Sequence, residues 1–416
     1  MKRQTRRRFE VLALLLVSAL VLAACGSGSG DGNGDGGDGD LTSSDDPLTI
    51  LIGSSGDAET NAVQEAVAAW SEQSGVEATV QVASDLNQEL SQGFASGEPP
   101  DLFYLSPDAL VGYAANGSVK AYGDLLENKD DFYEALVDNF TVDGEFYCAP
   151  KDFSTLALVI NDAMWSDAGL TEDDYPTTWD ELADVAAKLT TDGRVGLAFG
   201  AEWQRIGVFM AQAGGALVED GVAVANSDAN VTALEYVKEH LNDGTFAYAA
   251  DIDAGWGGDA FGKQVAAMVI EGNWMNGFMQ NDHPDIEYTV VELPAGPSGK
   301  GTLQYTNCWG MATDSPNQQA ALDLVEYLTT ADQMLAFAEA FGPMPAVKSA
   351  ADAWREANPE MAAFLAGAEY AQWQPVVAEI GSVIGDFNSQ LGSLKDGDPK
   401  ALLDTVQANL EAILTE

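Results

Sequence analysis

The chain has 416 residues, 46% of them hydrophobic and 9% aromatic, so it can fill the cores of two or three domains. It carries 66 acidic and only 18 basic residues, a formal net charge of −48. This charge argues against nucleic acid and anionic lipid surfaces as partners, because both need clustered Lys and Arg. The two histidines, His240 and His283, lie far apart, so we expect no metal site and no histidine-based catalysis.

The N-terminus has the pattern of an export signal. Five basic residues precede an apolar run, residues 11–22, that is too short to span a membrane. The sequence Leu-Ala-Ala-Cys that ends at Cys25 resembles the lipobox of bacterial lipoproteins. The resemblance implies a signal peptide over residues 1–24 and a lipidated Cys25 that anchors the exported protein to the outer face of the cytoplasmic membrane. An ordinary signal peptide with an unmodified cysteine is the alternative, and both Sec and twin-arginine export stay open.

Residues 25–46 are almost entirely Gly, Ser and Asp, so no core can form there. We expect a flexible tether between the lipid and the folded part. The Asp-Gly repeats match the start of a calcium-binding EF-hand loop, but Thr42 occupies the position of the bidentate glutamate. A tether is therefore the preferred interpretation.

Cys148 and Cys308 are the cysteines that remain after Cys25. In an exported protein two thiols tend to pair. We favour a disulfide between them over two buried free thiols.

From residue 48 onwards, short apolar runs alternate with segments of helical periodicity, a pattern typical of α/β folds with parallel strands. The predicted strands are residues 48–52, 76–82, 102–105, 156–160, 195–199, 288–293 and 309–313. The predicted helices are residues 62–70, 86–94, 179–189, 234–241, 320–328, 333–340, 362–371, 376–389 and 401–414. In parallel sheets ligands bind at the carboxyl ends of the strands, which places Ser54, Ser55, Ser106 and Asp108 at one rim.

The stretch from Phe261 to Trp274 combines two signals. Apolar residues recur at helical spacing and stop at Gly272, so we expect a helix that ends there and is followed by Asn273 and Trp274. An indole beside an amide suits a polyol, because sugar C–H faces stack on the ring while hydroxyls form hydrogen bonds. A core helix with a glycine C-cap and a buried tryptophan is the alternative.

Several short motifs occur in a fixed order along the chain. They are GEPPDL (97–102), FYCAPKD (146–152), LALVIN (156–161), YPTTWDEL (175–182), QAGG (212–215), GKQVAAM (262–268), GNW (272–274) and VVELP (290–294). Together they resemble the extracellular solute-binding lipoproteins of bacterial ABC transporters, in the maltose-binding-like sugar group. The resemblance covers residues 48–416. The sequence departs from the family pattern at Asp162, where Lys is usual, and it has no Arg near Trp373.

The resemblance implies an α/β, periplasmic-binding-protein-like fold with two α/β lobes, a hinge of crossing segments and a central cleft. The implied N-terminal lobe comprises residues 47–149 and 292–342, and the implied C-terminal lobe comprises residues 150–291 and 343–416. The implied protein is a monomer without metal or cofactor and is not an enzyme. It would close its lobes on a sugar and deliver the sugar to the permease subunits of an ABC importer.

Positions carried over from the family provide a set of candidate ligand-binding residues. They are Ser54, Ser55, Glu59, Ser106, Asp108, Asp152, Trp256, Asn273, Trp274, Asn307, Trp309 and Trp373. Carboxylates and amides would form hydrogen bonds with sugar hydroxyls, and indoles would stack on sugar rings. The central expectation is that Trp274 and Trp309 face a shared crevice with Asp152 opposite.

Two other functional classes stay open. A secreted glycosidase needs two carboxylates, but 66 acidic residues make such a pair uninformative, and the motifs G-x-S-x-G and H-E-x-x-H are absent. A binder of a polyamine-like cation would also suit Trp and Asp through cation–π contacts. A neutral sugar, and more specifically an oligosaccharide, is the preferred ligand.

Overall fold

Short strands and helices alternate along most of the chain. The computed structural model describes residues 41–54, 56–373, 375–377 and 379–414, so the predicted signal peptide, Cys25 and residues 25–40 of the predicted tether lie outside the described residues. The strands of the described part are β1 (Leu48–Ile52), β2 (Ala78–Val82), β3 (Leu102–Leu105), β4 (Thr141–Val142), β5 (Glu145–Phe146), β6 (Pro150–Asn161), β7 (Val195–Phe199), β8 (Val218–Glu219), β9 (Val222–Ala223), β10 (Phe246–Tyr248), β11 (Ala266–Gly272), β12 (Tyr288–Val291), β13 (Thr302–Met311) and β14 (Ala371–Gln372). The α-helices are α1 (Asp57–Ser74), α2 (Leu86–Ser96), α3 (Pro107–Ala115), α4 (Glu134–Asn139), α5 (Asp162–Asp167), α6 (Trp179–Leu189), α7 (Trp203–Gln212), α8 (Asp228–Asp243), α9 (Gly257–Gly262), α10 (Trp274–Asp282), α11 (Gln318–Leu328), α12 (Ala331–Phe341), α13 (Ala351–Ala357), α14 (Ala362–Gly367), α15 (Ile380–Leu391) and α16 (Pro399–Leu414).

One large sheet organises the described residues. Its strands follow the order β10–β7–β11–β6–β13–β3–β1–β2, with β12 against β6 and β14 against β13. At one end β1 pairs in parallel with β2 and β3, and at the other β7 pairs in parallel with β10 and β11. Parallel neighbours need crossover connections, and α1 and α2 provide them for the first three strands. This arrangement is the α/β architecture that the alternating pattern predicts.

The strands β6 and β13 join the two ends of the sheet. The first half of β6, from Pro150 to Thr155, pairs with β13, whereas Leu156 to Ile160 pair with β11. β13 also changes partner, from β6 to β3, near Cys308. Each of the two strands therefore belongs to both ends of the sheet, which divides the fold into two α/β lobes with crossing strands between them.

The helix α6 shows how local sequence determines an element. Thr178 caps the helix by accepting a hydrogen bond from the Glu181 N–H, and the Glu181 carboxylate accepts the Thr178 N–H in return. Leu182, Val185 and Leu189 follow on one face and are buried in the core of the second lobe. The predicted and observed bounds of this helix agree.

The predicted helix between Phe261 and Gly272 is wrong. Helix α9 ends at Gly262, and β11 then occupies a central position between β6 and β7, where every one of its residues is buried. A strand that is covered on both faces is apolar throughout, so its periodicity does not distinguish it from a buried helix. The predicted helix 362–371 is also too long, because α14 ends at Gly367 and β14 follows.

The packing differs from the predicted lobe boundaries at two joins. The Ser349 N–H donates to the Asp131 carboxylate at 3.0 Å, so the segment after residue 343 first packs against the N-terminal lobe. The Ala295 N–H donates to the Thr177 carbonyl at 2.8 Å, so the segment after residue 291 first packs against the C-terminal lobe. Each of the two segments therefore contacts its former lobe beyond the predicted boundary.

The last residues of the predicted tether are part of the folded protein. The Thr42 N–H donates to Gln318 Oε1 at 3.2 Å, and Asn317 Nδ2 donates to the Asp46 carbonyl at 3.1 Å. The start of α11 therefore holds residues 41–46, which composition alone assigns to the tether. No helix within the described ranges combines the length and apolar character that a bilayer crossing requires.

Cys148 and Cys308 are joined by a disulfide. Their Cα atoms are 5.6 Å apart, both residues are buried, and 160 positions separate them in the sequence. Cys148 lies just before β6 and Cys308 lies within β13, so the bond ties the two crossing strands together at the N-terminal lobe.

We predict that the double substitution Cys148→Ala and Cys308→Ala lowers the free energy of unfolding by about 2–5 kcal/mol, because the disulfide restricts the unfolded chain over a long loop. Urea unfolding followed by tryptophan fluorescence measures this difference. The wild-type protein unfolded under reducing conditions should match the double variant. An unfolding midpoint that neither reduction nor substitution changes would contradict the prediction.

Candidate functional site

Two adjoining cavities lie where the crossing strands join the lobes. Their volumes are about 1150 Å³ and about 240 Å³. They share a set of lining residues, which are Glu59, Asn273, Trp274, Phe341 and Gly342. Glu59 comes from α1 of the first lobe, whereas Asn273 and Trp274 follow β11 of the second. The two cavities are thus compartments of one cleft between the lobes.

A buried ionic cluster forms one wall of the cleft. Lys151 Nζ donates to Glu59 Oε1 at 3.2 Å, contacts the Asp152 carboxylate, and lies 4.4 Å from the centre of the Tyr104 ring. Tyr104 donates its hydroxyl hydrogen to Glu59 Oε1 at 3.0 Å. Burial by itself lowers the pKa of Lys151, but the charges around it, chiefly that of Asp152, outweigh burial and raise this pKa above its usual value. Lys151 therefore stays charged and fixes both carboxylates.

A second network orients Trp274. Glu271, which is 1% exposed, binds Arg205 Nη2 at 2.8 Å and accepts the Trp274 indole N–H at 3.2 Å. The Arg205 guanidinium lies 5.3 Å from the centre of the Trp274 ring, and the Tyr305 ring packs edge-on at 5.5 Å. Burial raises the pKa of Glu271, and Arg205 acts in the opposite direction. These contacts hold the indole in one orientation at the edge of the cleft.

Five of the residues predicted to bind ligand line the cleft together. They are Glu59, Asp152, Asn273, Trp274 and Asn307. The Asn273 amide donates to the Gly342 carbonyl at 2.8 Å, whereas its Oδ1 is buried and accepts no hydrogen bond from a described residue. This oxygen is therefore an acceptor that the described residues leave without a donor.

Trp309 is the clearest correction to the predicted site. It is 1% exposed, its ring packs 5.0 Å from that of Tyr104, and its carbonyl accepts the Tyr122 hydroxyl, so it belongs to the core. The prediction carried Trp309 over from the family pattern as a stacking residue beside Asn307. A register shift between Asn307 and Cys308 interrupts the two-residue alternation of β13, and Asn307 lines the cleft whereas Trp309 is buried.

Four other predicted residues line neither compartment of the cleft. Ser54 bonds within its own loop, and Ser106 and Asp108 are the N-cap and first-turn residues of α3. Trp256 packs edge-on against Phe278 at 5.0 Å. The three polar residues lie in a turn (Ser54) and at the start of a helix (Ser106 and Asp108). Ser and Asp are common at such positions whether or not a ligand binds nearby.

Trp373 does not line the cleft either. Ser55 lies outside the described residues. Trp373 lines a separate cavity, with its ring 6.0 Å from that of Tyr305.

Sequence reasoning missed the charged residues that organise the cleft. The sequence could have singled out Glu271, because a carboxylate inside an apolar run is costly to bury unless it has a partner. Lys151 carried the same signal at the start of the apolar strand β6. Arg205 could not be singled out from the sequence, since α7 was not predicted and no pattern placed this residue near Trp274. Within the described ranges, no three His, Cys, Asp or Glu side chains are arranged to hold a metal ion.

The family model described as bacterial extracellular solute-binding protein matches residues 65–363. The chain belongs to this family. The match confirms the family that the ordered motifs indicate.

Individual relatives of this solute-binding protein are distant. A putative binding protein of Brucella abortus is 25% identical over 349 residues, which cover 79% of this chain and 83% of that protein. The diacetylchitobiose binding protein DasA of Streptomyces coelicolor is 24% identical, with 74% of this chain and 75% of that protein covered. The sugar-binding protein MalE from Xanthomonas citri has a TM-score of 0.79 at 19% identity, with 89% and 97% covered. This structural likeness confirms the predicted two-lobed fold.

We predict that Lys151→Met lowers the free energy of unfolding by about 3–5 kcal/mol, because it leaves two buried carboxylates without their cation. Chemical denaturation measures the change, and adding Glu59→Gln should restore part of it. Lys129→Met is the matched control, since Lys129 pairs with Asp124 at the exposed surface and should leave stability unchanged. Equal stability of Lys151→Met and wild type would contradict the assignment of Lys151.

Proposed function

We propose that the chain is the extracytoplasmic, lipid-anchored substrate-binding component of an ABC importer. It binds a neutral oligosaccharide in the cleft by lobe closure and delivers it to a membrane permease. The observation that carries the proposal is the convergence of one oriented indole, Trp274, with the polar groups of Asn273, Asp152 and Asn307 around a single cleft.

The chemistry of the cleft matches a sugar. Trp274 and Phe341 offer apolar ring surface for C–H faces. Asp152 and the unpaired Asn273 Oδ1 accept hydroxyl hydrogens, and the Asn307 amide can both donate and accept. The relative DasA is a diacetylchitobiose binding protein, which supports the same ligand class.

The charges of the cleft favour a neutral ligand. Lys151 is already paired with Glu59 and Asp152, and Arg205 is already paired with Glu271, so neither cation is available for a phosphate. A cationic solute would meet the Arg205 guanidinium over the Trp274 ring and be repelled by it. Hydroxyl groups require no compensating charge.

The size of the cleft favours an oligosaccharide. Beyond Trp274, the larger compartment continues along α10, where Asn276, Gln280 and Asn281 line it with amide groups. Drug-sized ligands occupy pockets of roughly 300–1,000 Å³, so a cleft of about 1150 Å³ accommodates several sugar units.

Lobe closure follows from the crossing strands. Because β6 and β13 belong to both lobes, small backbone changes where they cross would move one lobe relative to the other. A ligand that contacts Glu59 or Asp152 on one lobe and Trp274 on the other binds the closed state more tightly than the open state. The sugar therefore shifts the population toward the closed state, and the difference in its binding free energy between the two states sets the size of the shift.

We propose that Trp274→Leu weakens sugar binding about 10-fold to 100-fold, the cost of losing one aromatic contact surface. A thermal-shift panel of mono-, di- and oligosaccharides with spermidine as the cationic alternative identifies the ligand, and calorimetry then compares the variants. Trp256→Leu, which alters a tryptophan outside the cleft, should retain wild-type affinity. Stabilisation by spermidine alone would refute the sugar assignment, and hydrolysis of an oligosaccharide would favour an enzyme.

The N-terminal part of the proposal is tested separately. In a bacterial host, wild-type protein should fractionate with membranes and incorporate labelled fatty acid, whereas Cys25→Ser should remove both properties. The folded part, and with it sugar binding, should be unaffected by that substitution. A Cys25→Ser protein that remains with membranes would rule out the lipid anchor at this residue.

A further inference from the structure

Two consecutive residues of β6 present their side chains to the same part of the cleft. Successive side chains of a regular strand point to opposite faces of the sheet. The side chains of Lys151 and Asp152 instead contact each other, and both residues line the smaller compartment of the cleft. The strand β6 therefore departs from regular geometry where it forms the wall of the cleft.

This departure is a β-bulge in the pairing of β6 with β13. Asp152 faces Asn307 across the pair, whereas the next residue of β13, Cys308, faces Pro150. Lys151 is thus an extra residue of β6 between two successive positions of β13. A bulge re-aims the side chains beside it. In this protein it turns a cation and a carboxylate toward the cleft from adjacent positions.

The disulfide lies at the same point of the strand pair. Pro150 has no N–H, so it cannot donate a hydrogen bond to β13. The Trp309 N–H donates to the Ala149 carbonyl at 3.0 Å, just beyond the bulge. Cys308, the residue at which the register shifts, is bonded covalently to Cys148. The disulfide therefore supports the shifted register where the ladder of hydrogen bonds is weakened.

The regular register would remove one polar group from the cleft. In that register position 308 would face Lys151, and the side chains of Lys151 and Asp152 would alternate between the two faces of the sheet. Lys151 could then no longer contact both Asp152 and Glu59, as it does in the structure. The bulge is therefore a condition for the ionic cluster at the cleft.

We infer that the disulfide between Cys148 and Cys308 is a positioning element for ligand binding, because it holds the bulge that turns Lys151 and Asp152 toward the cleft. This inference rests on the proposed function of the cleft. It assigns to the disulfide a contribution to affinity that is distinct from its contribution to the stability of the fold.

The first test measures sugar affinity of the double variant Cys148→Ala and Cys308→Ala by calorimetry, at a temperature at which circular dichroism shows that it is folded. The probe is diacetylchitobiose, or the oligosaccharide of the thermal-shift panel that stabilises the wild-type protein most. The affinity should fall about tenfold, the value of one hydrogen bond to a charged group. An unchanged affinity would overturn the inference.

A double-mutant cycle distinguishes positioning from a general loosening of the protein. In an Asp152→Ala background, removal of the disulfide should cost little further affinity, because the group that it positions is already absent. In a Trp274→Leu background, which alters the other wall of the same cleft, removal should cost the full tenfold. Equal losses in the two backgrounds would show that the disulfide does not act through Asp152 and would overturn the inference.

A crystal structure of the double variant provides a readout that needs no ligand. We expect position 308 to face Lys151, and Lys151 to have lost its contact with the Asp152 carboxylate. A retained bulge, with both side chains still at the cleft, would overturn the inference. Failure of the wild-type protein to bind any sugar would instead overturn the proposed function, and this structure would still decide whether the disulfide holds the bulge.

Discussion

The pairing of β6 with β13 is the constraint on which the rest of the structure depends. These strands are the central members of the sheet and exchange partners along their length, so they join the two lobes and run beneath the cleft. Their register places Asp152 beside Asn307, and the disulfide between Cys148 and Cys308 ties them just before the exchange. A hinge built from hydrogen-bonded strands can flex without losing the alignment of the polar groups it carries.

Buried ion pairs hold the side chains that line the cleft. Lys151 orients Glu59 and Asp152 on one side, and the Arg205 pair with Glu271 orients Trp274 on the other. A buried ion pair contributes little net stability relative to apolar packing, because desolvation offsets the Coulomb attraction. Its value in this protein is positional, since it fixes hydrogen-bonding groups and one aromatic ring at the cleft.

Much of the fold could be predicted from the sequence, and part of the site could not. Capping and periodicity determine α6 locally, so its bounds were predictable. β11 is buried on both faces, so its apolar pattern does not distinguish a strand from a buried helix. Asn273 and Trp274 were found because an amide beside an indole is a local signal. Trp309 was carried over from the family pattern, which does not record the register shift beside it, because such a shift is a property of two paired strands.

A crystal structure of the protein with a bound oligosaccharide tests the central claim most directly. The account predicts a sugar ring stacked on Trp274, hydroxyl hydrogen bonds to Asp152 and Asn307, and both lobes in contact with the ligand. A sugar bound elsewhere on the surface, with the Trp274 ring unoccupied and the lobes making no common contact, would contradict it.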